Sequence, residues 1–160
     1  MAKEIERKFL VKNDDWRVGA TGRPYSQGYI STTQPGQTVR VRVVGDQGYL
    51  TLKGPTEGIT RSEFEYAIPI ADAKEMLATM CDRPPIEKIR YRLPINNLVW
   101  EIDEFSGENA GLIVAEVELT SEDQPIARPT WLGKEVSGDF RYFNANLSSQ
   151  PYSTWTEGDH

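Results

Sequence analysis

Charged side chains recur at every second position in short runs along this chain, and each run is bounded by Gly, Pro, Asn or Asp. Successive side chains of a strand point to opposite faces, so residues two apart share one. Glu4, Glu6 and Lys8 therefore align, with Ile5 and Phe9 among the residues facing away. Arg40 and Arg42 share a face opposite Val39, Val41 and Val43. Glu63 and Glu65 flank Phe64. Lys88, Arg90 and Arg92 align in front of Ile89 and Tyr91, Glu101 and Asp103 bracket Ile102, and Glu116 and Glu118 bracket Val117. Lys53 follows Leu52 as a single charge.

This alternation predicts strands near 3–11, 25–32, 37–44, 47–54, 61–68, 86–93, 97–105 and 112–120. Asp46-Gln47-Gly48 and Asn96-Asn97 carry tight-turn chemistry. Strands follow one another without long helical crossovers, which argues for antiparallel pairing. Helices are few. Asp72 with Glu75 resembles a capping box opening a helix through Met80, with Met76, Leu77 and Met80 on one side. A short helical turn is expected over Ser121–Ile126. A C-terminal helix is expected from near Ser137, carrying Phe140, Phe143 and Leu147. One domain is expected over 1–150, with a loose tail over 151–160.

A sheet with one wet, charged face is common among antiparallel proteins. Here like charges recur in pairs on several strands. Two like charges ~7 Å apart repel by about 2 kcal/mol at an effective dielectric near 20, and a face built for solubility alternates signs more often. Acidic pairs suit hard cations such as Mg²⁺ or Mn²⁺. Basic pairs suit phosphate oxygens. If the sheet closes, the charged faces line a tunnel, and the apolar faces turn outward and need cover.

Composition narrows the alternatives. Of 160 residues, 38% are hydrophobic and 26% charged, low for an ordinary core and consistent with charge in the interior. A net charge of −6 disfavours a nucleic-acid partner. The single histidine, His160, is the last residue, which disfavours histidine catalysis or a histidine-ligated zinc. Apolar runs are too short to span a membrane, the start does not read as a signal peptide, and the lone Cys81 fits a cytoplasmic protein. The tryptophans Trp16, Trp100, Trp131 and Trp155 are expected on the outer face or in loops, and Tyr29 in packing or lining the bore.

Glu4-Ile5-Glu6-Arg7-Lys8 resembles the ExExK signature of the CYTH superfamily, the triphosphate tunnel metalloenzymes. It is followed in family order by Val39-Arg40-Val41-Arg42, Thr51-Leu52-Lys53, Arg61-Ser62-Glu63-Phe64-Glu65, Lys88-Ile89-Arg90, Trp100-Glu101-Ile102-Asp103 and Ala115-Glu116-Val117-Glu118. Asp139-Phe140-Arg141-Tyr142-Phe143-Asn144 also resembles the small bacterial members.

The resemblance implies a mainly β, α+β fold: a closed eight-stranded antiparallel barrel with a few covering helices and a C-terminal helix near one mouth. It implies metal ligands at Glu4, Glu6, Glu116 and Glu118, and Mg²⁺ or Mn²⁺ as cofactor. It implies a catalytic and phosphate-holding set of Lys8, Arg40, Arg42, Lys53, Lys88 and Arg90, alongside Glu4 and Glu6. Arg141 joins that set as a ligand contact, or takes a surface or helix-capping role. Glu63, Glu65, Glu101 and Asp103 are left as second-metal ligands, water positioners or salt-bridge partners. The expected reaction is metal-dependent hydrolysis of a triphosphate, foremost inorganic tripolyphosphate, by in-line attack of water. A nucleoside or thiamine triphosphatase, an adenylate cyclase and a non-catalytic polyphosphate-binding module are the alternatives. The expected partner is a small triphosphate, with no nucleic acid and no membrane, and a homodimer is plausible.

Overall fold

The eight alternating segments form eight strands in the computed structural model, which describes residues 3–156. They are β1 (Lys3–Val11), β2 (Thr21–Ile30), β3 (Thr38–Val44), β4 (Gln47–Lys53), β5 (Thr60–Ile68), β6 (Ile86–Ile95), β7 (Leu98–Phe105) and β8 (Ile113–Glu118). A ninth strand, β9 (Leu132–Glu135), was not expected. The order is β5-β4-β3-β2-β6-β7-β8-β1, and β1 pairs back with β5 to close the barrel, while β9 adds to β1. All pairings are antiparallel. β1 has three partners in succession: Lys3–Ile5 with β5, Glu6–Leu10 with β8, and Phe9 and Val11 with β9.

Several boundaries differ from expectation for local reasons. β2 begins at Thr21 because pairing with β6 carries the strand through Gly22 and Pro24, which read locally as loop. The β3–β4 turn is Gly45-Asp46, with Gly45 at φ 59°, so the loop sits just before the expected Asp46-Gln47-Gly48. Asn96 supplies the left-handed residue, φ 56°, of the expected β6–β7 turn. β9 is short and contains Gly133, whose missing Cβ lets the strand approach the carbonyl of Leu10. Such a segment has no alternation to betray it.

Helix α1 (Ile70–Thr79) starts after Pro69, and no side chain caps it. The expected capping box is therefore absent, and Asp72 sits inside the first turn. Ala73 is fully buried, whereas Met80 is exposed, so the packed face centres on Ala73 rather than Met80. The helix lies on the outside of β3 and β4, where Gly48 leaves room for it: a Cβ there would stand 2.7 Å from that of Ala73. The Ser121–Ile126 segment makes only a turn around Ser121–Asp123.

Two apolar clusters hold the barrel. The outer one joins Phe9, Trp100, Ile102, Ala115 and Val117 to Trp16, Leu119, Trp131 and Leu132. Cover on this wall thus comes from the 3-10 turn Asp15–Arg17 bearing Trp16 and from the turn bearing Trp131, not from α-helices, and Trp131 meets Trp100 edge-on at 5.5 Å. The inner cluster contains Ile86, Phe105 and Val114 with Leu10 packed against it, inward positions where the charged face turns apolar, together with Val136, Tyr142 and Leu147. It fills the bore beyond the charges. The expected continuous C-terminal helix is broken into a 3-10 turn (Phe140–Tyr142), started by the Asp139 carboxylate accepting from the Arg141 N–H, and a six-residue α2 (Asn144–Ser149). Leu147 seats α2 in the inner cluster, while Phe140 is exposed. Beyond Pro151, Tyr152–Thr154 forms a further turn and Trp155 packs against Tyr142 and Tyr152. Residues 157–160 of the expected tail, including His160, lie outside the described residues. Among the described residues no helix is long and apolar enough to cross a membrane.

Candidate active site

Pairing register places the charges of different strands on one inner face. Glu6 stands opposite Glu118 and Lys8 opposite Glu116 across β1–β8; Arg90 faces Asp103 across β6–β7; Lys53 faces Glu63 across β4–β5. They surround a cavity of about 710 Å³ whose wall includes Glu4, Glu6, Lys8, Arg40, Arg42, Lys53, Lys88, Arg90, Glu116 and Glu118. The sequence-derived like pairs exist along the strands, but most of these charges also meet opposite charge from other strands. Lys8 Nζ is 2.8 Å from Glu116 and 3.3 Å from Glu6; Lys53 Nζ is 3.0 Å from Glu4 and 3.4 Å from Glu63. Repulsion within a strand is offset by attraction between strands.

The basic half gathers Arg40, Arg42, Lys88 and Arg90. Asp103, fully buried, accepts from Lys88 Nζ at 2.7 Å and from Arg90 Nε and Nη2 at 2.7 and 2.9 Å. Burial, only partly offset by Asp103 and reinforced by Arg90 and Arg42, pushes Lys88 down to about 7. Burial, then Arg40 and Arg90, push Arg42 down to about 9, still cationic at neutral pH. Among the described residues Arg42 has no ion-pair partner; its Nε donates to the Gln27 amide oxygen at 3.0 Å. Arg40 donates to Thr51 and Glu65, yet its buried Nε meets no acceptor. Tyr25 lies within the cluster, with Arg42, Arg90 and Lys88 at 4.9, 5.2 and 6.0 Å from its ring. Depressed cations and an orphaned guanidinium N–H describe a pocket short of negative charge, which is what an anion supplies.

The acidic half is short of positive charge. Burial and Glu116 hold the Glu6 carboxyl above its usual range. Burial, Glu4 and Glu63 do the same for Glu118. Glu116 is the opposite case: burial alone would raise it, but Lys8, Arg90 and Lys88 hold it well below. Glu4, Glu6, Glu116 and Glu118 offer the hard oxygen donors that Mg²⁺ or Mn²⁺ takes, and a cation beside Glu6 and Glu118 would relieve the repulsion that raises them. In donor chemistry the set fits such an ion. Among the described residues no three carboxylates already converge as a metal cluster, and Lys8 and Lys53 hold oxygens of Glu4, Glu6 and Glu116.

The remaining sequence candidates divide. Glu63, Glu65 and Glu101 line the cavity, each beside a base: Lys53, Arg40 and Arg90 respectively. Asp103 sits behind Lys88 and Arg90 as their counter-ion. Arg92 is mostly exposed near Glu101. Arg141 is not among the residues lining the bore; its guanidinium is held by Asp139 at 2.5 Å, in a separate surface pocket beside Trp155. Sequence reasoning missed Tyr25, Gln27, Thr51, Arg61 and Asn144. Arg61 shares the inward register of Glu4 and ties two loops by donating to the carbonyls of Gly54 and Gly36. Tyr25 and Gln27 share the inward parity of Tyr29, a signal that neutral side chains do not advertise.

The sequence pattern of the CYTH domain matches residues 2–152. The chain belongs to the CYTH family. This CYTH chain is 48% identical to an inorganic triphosphatase of Acetivibrio thermocellus over 98% of its own length and 100% of the relative's. It is 39% identical to an inorganic triphosphatase of Nitrosomonas europaea, over 91% and 96% of the two chains. The crystal structure of an inorganic triphosphatase superposes with a TM-score of 0.63 at 33% identity, covering 90% of this CYTH chain and 96% of that one. The closed antiparallel barrel implied by the resemblance is the architecture of the family.

Proposed function

We propose that this protein is a divalent-metal-dependent triphosphatase that hydrolyses inorganic tripolyphosphate to pyrophosphate and phosphate. The observation that carries the reading is the juxtaposition, inside one cavity, of a basic cluster (Arg40, Arg42, Lys88, Arg90), in which Arg42 has no carboxylate partner among the described residues and Lys88 and Arg42 are depressed, and a cation-deficient pair (Glu6, Glu118). Only a ligand that is both polyanionic and accompanied by a metal cation satisfies both. Two full-length relatives bearing the name inorganic triphosphatase support the choice of substrate.

Phosphoryl transfer needs positioning and charge stabilisation more than covalent chemistry. Arg40, Arg42, Lys88 and Arg90 hold the phosphate chain and stabilise charge on the transferring group. Lys8 and Lys53, now on Glu4, Glu6 and Glu116, would turn to phosphate oxygens, and those carboxylates together with Glu118 would hold Mg²⁺ or Mn²⁺. A metal bound there supplies Lewis-acid neutralisation of the phosphate oxygens. Glu63, Glu65 or Glu101 orients the water whose oxygen attacks the terminal phosphorus as the bond to the bridging oxygen breaks. Asp103 keeps Lys88 and Arg90 in place. Arg141 is given no part. The free thiol of Cys81 is consistent with a cytoplasmic enzyme.

A phosphate-release panel tests this: tripolyphosphate, ATP, GTP, thiamine triphosphate and pyrophosphate, each with Mg²⁺ and with Mn²⁺. Strong preference for tripolyphosphate is expected, and Glu6→Gln should abolish turnover while circular dichroism stays unchanged. Equal, feeble rates on all five substrates, cyclic AMP from ATP as the main product, or normal turnover in E6Q would overturn it.

A further inference from the structure

We propose that Asn144, the first residue of α2, is a positioning residue for the anion site, holding Lys88 directly and Arg42 through Gln27. The inference rests on the reading of the cavity as a polyphosphate site. Asn144 Oδ1 accepts from Lys88 Nζ at 3.0 Å and from Gln27 Nε2 at 3.1 Å, and Gln27 Oε1 accepts from Arg42 Nε at 3.0 Å. Arginine and protonated lysine have donors and no acceptors, so beside the charged groups both amides can face only one way. Arg42 fixes the oxygen of Gln27, which leaves its nitrogen for Tyr29 and Asn144, and Lys88 fixes the oxygen of Asn144. Gln27 is fully buried and α2 is anchored by fully buried Leu147, so the relay is held at both ends.

The chemistry of the relay matters. Asp103 takes one proton donor of Lys88 and Asn144 a second, leaving the third for a phosphate oxygen. Gln27 occupies only Nε of Arg42, which leaves both terminal NH₂ groups of the guanidinium for the bore. A neutral amide orients both cations without cancelling their charge, as a second carboxylate beside Asp103 would. Removing the acceptor lets Lys88 and Arg42 relax; replacing it with a carboxylate keeps the geometry and removes the field.

Two readouts separate this role from the reaction itself: calorimetric titration with tripolyphosphate in the absence of metal, and steady-state hydrolysis with metal. Asn144→Ala is expected to weaken binding and raise KM by about 10-fold, with a smaller fall in kcat of about 2- to 5-fold and Tm within about 2 °C. The near-isosteric Asn144→Asp should weaken binding further, by about 100-fold at low salt, and stands in if the truncation disturbs folding. Gln27→Ala combined with Asn144→Ala should cost less than the sum of the two single changes, because the arm to Arg42 runs through both residues. Unchanged affinity in N144A, wild-type affinity in N144D, additive penalties, or a loss confined to kcat would each overturn the assignment. If the binding series holds while the wild-type protein fails to hydrolyse tripolyphosphate, the proposed reaction fails and the positioning role stands.

Discussion

Lys88 shows how far a residue can depart from its type. It lies 2.7 Å from Asp103, yet burial and the neighbouring arginines push it down to about 7. In the unfolded chain its value is about 10.4. Between these two values the unfolded state binds more protons, so this group makes the ligand-free protein more stable as pH rises through that window. A bound anion favours the charged amine and reverses the preference. Binding of sulfate, which does not itself titrate there, should therefore take up close to one proton at about pH 8.5 and none at about pH 6. Calorimetry in two buffers of different ionisation enthalpy measures this, and uptake that is equal at both pH values would contradict it. At this scale the charged lining was legible because Glu, Lys and Arg on an inward parity have few other reasons to recur. Tyr25, Gln27 and Asn144 were not legible: a neutral side chain on the same parity reads as packing until the cations it holds are seen around it.

Strands were legible as elements because alternation is a local property, and the helices less so because their ends answer to tertiary contacts. The Asp72–Glu75 box is a valid local signal, but Pro69 and the seat of Ala73 against Gly48 start α1 earlier. The Phe140, Phe143 and Leu147 spacing suggested one helix, whereas the Asp139 carboxylate nucleates a separate 3-10 turn and only Leu147 enters the core. Gly48 offers a test of α1 seating. Gly48→Val places branched carbon against Ala73 and should cost about 1–3 kcal/mol, lowering Tm by several degrees. Because Gly48 faces outward, away from the bore, KM for tripolyphosphate should stay within about 2-fold of wild type. A melting temperature equal to wild type would show that the helix has slack at this contact.

For the whole molecule, closure makes the two halves of the site and the two apolar clusters one cooperative unit. β1 pairs with β5, β8 and β9, and each of the eight barrel strands has two neighbours in the closed ring, so none of those eight can leave without opening the bore. Unfolding followed by tryptophan fluorescence, which reports the outer cluster through Trp16, Trp100 and Trp131 and the inner one through Trp155, should coincide with loss of far-ultraviolet circular dichroism. Tripolyphosphate at about 100 times its Kd should add about 2.7 kcal/mol to both transitions together, a rise of roughly 5–10 °C in Tm. Separate transitions, or a ligand shift in one signal only, would show that the barrel wall and the bore unfold apart.

Period-two patterning, turn residues and the ordered ExExK-type runs were enough to determine the antiparallel barrel, its inward charges and the family, since face and parity follow from backbone geometry one strand at a time. Tertiary structure alone decided which charge meets which: that Asp103 is a counter-ion while Glu6 and Glu118 are left short of cations, that Arg141 belongs to another surface, and that Asn144 reaches Lys88. Those outcomes depend on register between strands and on where α2 docks, and both are set by contacts between residues far apart in the chain, whose energies no local pattern records.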